Sequence, residues 1–216
     1  YDDLKDVFEY YDNITLSVPL YVKILNINKL QCHVNISDFS FLKELYCKYV
    51  KIDRISAPSL EILDCDFSSI SEIEAPRLKK LSCINVPITS VDHLTSLEVL
   101  NCIKCNIQTI YENIPNKLRI LNCCYTGIQN VAHLNLESLA FDIEKLTTGL
   151  PITLRKLKCC LEDIHLINKL TDLEKLEIDY IPIDNISLPN LKVLKCYYIE
   201  IKINHLQFLH KLHCYR

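Results

Sequence analysis

Twelve cysteines, seven histidines and 27 acidic residues in 216 positions are the raw material for chemistry in this chain. Cys102-x-x-Cys105 has the spacing of half a zinc site, but four ligands must converge on zinc and no second CxxC follows. His93, His133, His165 and His205 each precede a Leu, and Glu44, Asp64, Asp66, Asp142, Glu177 and Asp179 supply carboxylates. None of these falls into a Ser–His–Asp set, an HExxH helix, a Gly-rich phosphate loop or a paired-acid cleft. The expectation is a protein without catalytic residues, resident metal or cofactor.

The cysteines follow a different rule. Cys47, Cys65, Cys83, Cys102, Cys123, Cys159, Cys196 and Cys214 each stand two residues after a leucine. The full frame is clearest at Leu97–Ile110, where Leu97, Leu100, Cys102, Ile107 and Ile110 read LxxLxCxxxxIxxI. It starts again at Val22, Leu42, Leu60, Leu78, Leu97, Leu118, Leu136, Leu154, Leu173, Leu191 and Leu209, at intervals of 18 to 21 residues. Position four is leucine in every copy, from Leu25 to Leu212. A fixed period near 20 is the mark of a solenoid.

Positions four and six lie on one face of an extended segment, and positions three, five and seven on the other. Each copy therefore supplies a short strand with Leu and Cys inward. The second apolar pair, such as Ile70 and Ile73, brings the chain back through an extended or 3₁₀ return with turn points at Pro58, Pro76, Pro87, Pro115 and Pro189. One such unit cannot bury its apolar face alone, so successive units must stack with parallel strands about 4.8 Å apart. The thiols then form a core column of small apolar groups, and side-by-side placement disfavours disulfides. So many unpaired thiols fit a reducing compartment, and the expected location is the cytoplasm.

The pattern LxxLxCxxxxIxxI resembles the leucine-rich-repeat superfamily over residues 22–216. The resemblance implies a mainly β fold with little helix: a right-handed solenoid of about eleven coils, with one parallel sheet on the concave face used to bind protein. Its short period and position-six cysteine are most similar to repeats of bacteria and large DNA viruses. With an Ile-, Lys-, Asn- and Tyr-rich composition this points to a viral protein, acting in the host-cell cytoplasm. The family's position-nine asparagine is replaced by Leu30, Val50, Ser68, Val86, Cys105 and Thr126 among others, so the turns must satisfy their backbone another way. The seventh copy carries Phe141 for Cys and Gly149 where a branched residue is expected, which predicts a break near Asp142–Gly149.

Residues 1–21 stand outside the frame and are expected to form an N-terminal cap: a short helix carrying Leu4, Val7, Phe8 and Tyr11, then a strand at Ile14–Val18. At the other end Leu209–Arg216 is a strand with no cap after it. Continuation of the chain or homodimer pairing through this edge would cover it. The net charge of −3 argues against nucleic acid as partner, and no apolar run is long enough to span a membrane.

The candidate site is the solvent-facing sheet. Tyr46, Ile84, Ile103, Lys158, Lys195, Tyr197 and Tyr215 come from positions five and seven, and Tyr49, Phe67, Tyr125, Tyr180 and Tyr198 from position eight. Ile84 and Ile103 with Cys124, Val99 and Ile120 form an apolar patch. Tyr197, Tyr198 and Tyr215 with Lys158, Lys175, Lys195 and Lys211 form an aromatic–basic one. Tyrosine and exposed apolar groups are what protein interfaces use. The function expected is recognition of a protein partner; the alternative is the substrate-selecting arm of a larger enzyme of ubiquitin-ligase type.

Overall fold

The computed structural model describes residues 21–30, 40–110, 117–142, 149–159, 164–179, 186–197 and 206–215. Apart from Tyr21, the expected N-terminal cap lies outside the described residues, as do Tyr180, Tyr198, Cys32 and Cys160.

Strands follow the frame. They are β1 (Ile24–Asn26), β2 (Glu44–Tyr46), β3 (Arg54–Ser56), β4 (Ile62–Asp64), β5 (Glu72–Glu74), β6 (Lys80–Ser82) and β7 (Val99–Asn101). Then come β8 (Ile120–Asn122), β9 (Ser138–Ala140), β10 (Lys156–Cys159), a single helical turn α1 (Ile164–Ile167), β11 (Lys175–Asp179), β12 (Val193–Tyr197) and β13 (Lys211–Tyr215). All but β3 and β5 join one eleven-stranded sheet, in chain order. Every pair is parallel and in frame register, so Leu81 stands opposite Leu100, and Leu100 opposite Leu121. The return segments are mostly irregular, but β3 and β5 pair as a second, two-stranded parallel sheet.

Leucines 45, 63, 81, 100, 121, 139, 157, 176 and 194 are buried, with the return residues Ile52, Ile70, Ile88, Ile107 and Ile128. Removing each of these from water contributes roughly 1.5–3 kcal/mol. The position-six thiols lie among them, and burial is not the only reason for cysteine there. The backbone N–H of Cys65, Cys83, Cys102 and Cys123 donates to the position-five carbonyl of the next coil at 2.8–2.9 Å. Each thiol reaches the same carbonyl at 3.3–3.6 Å. A thiol is small and weakly polar enough to supplement that bond without displacing it. Burial pushes the Cys123 thiol up to about 12 and holds those of Cys65 and Cys102 well above the ordinary value. Cys214 departs from the expected column. Like Leu212 beside it, it is exposed, because the described residues place a neighbour on only one side of β13.

The turns after the strands resolve the missing asparagine. Position eight (Lys29, Tyr49, Phe67, Asn85, Lys104, Tyr125) has φ between 53° and 61° in all six described copies. The position-nine N–H of Leu30, Ser68 and Cys105 bonds back to the position-six carbonyl at 3.1–3.2 Å. A positive φ at the third residue of such a four-residue turn is the type II pattern. Ser68 Oγ and Thr126 Oγ1 donate to the same carbonyls at 2.6 and 2.7 Å. Elsewhere the position-eight N–H reaches the position-seven carbonyl of the next coil, as from Phe67 to Ile84 at 2.8 Å. The turn backbone is thus satisfied between coils rather than by an asparagine amide.

The predicted break does not interrupt the sheet: β9 and β10 pair in register from Ser138↔Lys156 to Ala140↔Lys158. Phe141 is buried in the cysteine's place, and its N–H still bonds to Lys158 O at 3.1 Å. Among the described residues the local change is that Asp142 Oδ2, rather than a carbonyl, accepts the Tyr125 N–H at 2.5 Å. Residues 143–148 lie outside the described residues.

Leu100→Ala leaves a cavity between two coils and should cost about 2–5 kcal/mol in urea unfolding. At position eight, Lys104→Gly relieves the left-handed backbone and should be neutral or stabilising by up to about 1 kcal/mol, whereas Lys104→Val should destabilise.

Candidate protein-binding face

The middle of the sheet carries the apolar patch. Val99 and Ile120 are register partners, with Ile120 exposed and Val99 half-buried. Ile84 and Ile103, two residues beyond β6 and β7 on the same face, are half-buried, as is Cys124. Towards the N-terminal end, the expected open face is closed by polar contacts. Lys48 Nζ sits 2.9 Å from Asp64 and 3.0 Å from Asp66. Those two carboxylates raise the lysine above its ordinary pKa. Asp66 is buried rather than solvent-facing, since its Oδ1 accepts Ser82 Oγ at 2.7 Å and Ile84 N–H at 2.9 Å. Tyr46 is half-buried and donates its hydroxyl to Glu44 at 2.8 Å, a bond that raises the phenol's pKa.

The position-eight aromatics do not join that patch. Held in left-handed turns, they line the border where strands pass into return segments. Tyr49 stacks on Phe67 with centroids 4.9 Å apart, while Tyr125, 68% exposed, stands three coils beyond Phe67 with Lys104 Nζ 5.7 Å from its ring. The spacing of Tyr and Phe in sequence carried no sign of the positive φ that sets them apart.

At the other end Tyr197 stacks on Tyr215 at 4.7 Å. Lys158 and Lys195 both reach Glu177, at 2.7 and 3.5 Å. Burial opposes the Glu177 charge, but the two lysines outweigh it and hold the carboxyl below its ordinary value. Lys158 and Lys195 are therefore structural ion-pair partners first. Lys156, Lys175 and Lys211 have no ion pair among the described residues.

A row of charges missed in the sequence runs beside the sheet at position two: Lys43, Glu61, Lys79, Glu98, Arg119, Glu137, Arg155, Glu174 and Lys192 alternate in sign. Glu61 bonds both Lys43 at 2.7 Å and Lys79 at 2.8 Å, Arg119 pairs with Glu137, and Glu174 lies between Arg155 and Lys192. The signal was the alternation of sign at the repeat interval. Coils out of order would bring like charges together.

Nothing in the described residues assembles a reaction centre. A depression on the return side holds Ser71, Glu72, Ser90 and His93. There Glu72 is drawn to Arg54, and His93 Nε2 lies 2.7 Å from Ile73 O. Among the described residues no group of three His, Cys, Asp or Glu side chains is placed to hold a metal, and no helix is long and apolar enough to cross a membrane.

A parallel sheet of one strand per repeat, with leucine inward at position four and an apolar return, is the leucine-rich-repeat fold. No protein-family model and no curated protein matches the sequence. Among solved structures the chain is similar to the functional domain of InlJ from Listeria monocytogenes, described as including a cysteine ladder. The identity is 22%, over 90% of this chain and 48% of that one, with a TM-score of 0.68. An internalin, inlF, of the same organism matches at 17% identity over 99% of this chain and 83% of its own, TM-score 0.58. A chain of an octameric complex of Latrophilin 3, Unc5D and the leucine-rich-repeat region of FLRT2 matches at 16% over 85% and 77%, TM-score 0.58. The chain spans about half the length of the InlJ domain. These likenesses establish the leucine-rich-repeat fold.

The two lysines flanking Glu61 hold its carboxyl at about 2, below the ordinary 4.5. A depressed carboxyl contributes stability that is present above about pH 4.5 and lost as pH falls towards 2. Thermal melts of wild type and Glu61→Gln should therefore differ at pH 6 and converge near pH 2.

Proposed function

We propose that this chain is a non-catalytic module that binds a protein partner through the outer face of its eleven-stranded sheet. The observation that carries the reading is the apolar patch of Ile84, Ile103, Val99 and Ile120 in mid-sheet. Their strands are already paired on both sides, so the residues are held rigidly and little ordering entropy opposes docking. The Tyr197–Tyr215 stack at the C-terminal end of the sheet extends the same surface. The assembly formed by FLRT2 with Latrophilin 3 and Unc5D supports the reading by example. Buried thiols free of disulfides favour a reducing location, and the cytoplasm is the one proposed.

A displayed random-peptide library selected on the immobilised chain tests the face. Selected binders should be lost on Ile84→Glu plus Ile103→Glu and retained on Gln108→Glu plus Thr109→Glu in the return segment. Binders lost only with the return-side pair would place the site on the opposite surface. Circular dichroism checks that both variants stay folded.

A further inference from the structure

The sheet face is electrically uneven, and that unevenness indicates what kind of partner fits its C-terminal third. Lys156, Lys158, Lys175, Lys195 and Lys211 all come from β10 to β13. Against them the same strands carry Glu177 and Asp179, leaving a formal +3 on a chain whose net charge is −3. Glu177 is committed to Lys158 and Lys195. Lys156 and Lys175 are register partners on neighbouring strands, about 4.8 Å apart, and neither has an ion pair among the described residues. Lys211 repeats the arrangement at the same register position two strands further on, and is exposed. On the same face, four residues along these strands or about 13 Å, lies the Tyr197–Tyr215 stack, with Tyr215 43% exposed.

Building on the sheet-face reading above, we infer that strands β10 to β13 bind an extended acidic segment of a partner protein. Its carboxylates meet Lys156, Lys175 and Lys211, and an aromatic or apolar residue about four positions further along the segment lies against Tyr197 and Tyr215. Like charges brought so close without counter-charge are unfavourable, and an incoming carboxylate removes that repulsion while the flat tyrosine stack supplies apolar area. A spaced set of carboxylates fits better than a phosphate backbone. A continuous polyanion crossing these strands must pass Glu177. The cationic run covers only four strands, the span of a short peptide rather than of a long nucleic-acid track.

Fluorescence polarisation with a labelled peptide of alternating Glu and Tyr tests the assignment on the full chain, with the Lys-for-Glu peptide and an oligothymidylate as comparison probes. Lys156→Glu plus Lys175→Glu should weaken binding of the acidic peptide about tenfold or more, and Lys80→Glu plus Lys117→Glu, an equal change in net charge elsewhere, by less than about twofold. Raising salt from about 0.05 to 0.5 M should weaken the wild-type interaction several-fold. Lys156→Gln plus Lys175→Gln, which only removes charge, serves if the reversal impairs folding. Absence of wild-type binding, equal loss with both reversals, or oligothymidylate binding as tight as the peptide would overturn the inference. Library binders that depend on Ile84 and Ile103 would in that case leave the sheet-face reading standing.

Discussion

Everything in this molecule depends on one repeated contact between neighbouring coils: the position-six N–H donating to the position-five carbonyl of the next strand. It runs from Ile27 to Phe141 in seven successive coils at 2.8–3.1 Å. It sets the distance between coils, and that distance decides what can sit on either side. Inward, two leucines or two thiols must fit side by side. Outward, side chains of adjacent coils meet whether or not their chemistry agrees. A single register slip would turn the leucines outward, so the buried face and the ladder enforce each other.

The surface rows are consequences of that spacing. At position two, opposite charges alternate and neutralise one another along Lys43, Glu61 and Lys79. At position five, Lys158, Glu177 and Lys195 do the same. Exposed pairs of this kind contribute little to stability singly. Their value here is order, since each charge accepts only a neighbour of the other sign. Where a row departs from alternation, at Ile84 and Ile103 or at Lys156 and Lys175, the surface is left with groups whose partners are not in the coil beside them. Those departures are the places to look for binding. The return side offers less: its β3–β5 strip is internally paired through Arg54, Glu72 and Glu74.

The turn after each strand shows how one constraint can be met by different residues. Six left-handed residues that are not glycine are unusual, each at a cost of roughly 1–2 kcal/mol. They persist because the turn lets the position-eight N–H reach across to the next coil. Ser68 and Thr126 add a hydroxyl bond, while Leu30 and Val50 add none. The backbone, not the side chain, is the common element, and that is why position nine can vary so widely.

The frame of leucine and cysteine was enough to place the sheet, its register and its buried columns, because a two-residue offset leaves only one way to bury both. It was also enough to find the apolar patch, since Ile84 and Ile103 fall on odd positions of the frame. Other features required the coils to be stacked. Asp66 reads as a surface carboxylate, yet three groups from adjoining coils enclose it. Tyr49 and Tyr125 read as members of the sheet face, yet a positive φ turns them to its border. Lys158 and Lys175 look alike in sequence, but only one has a carboxylate within reach. A periodic pattern determines which face a residue occupies. Whether its charge or hydrogen bond is already used depends on a residue 18 to 21 positions away, brought within a few ångström only by the tertiary fold.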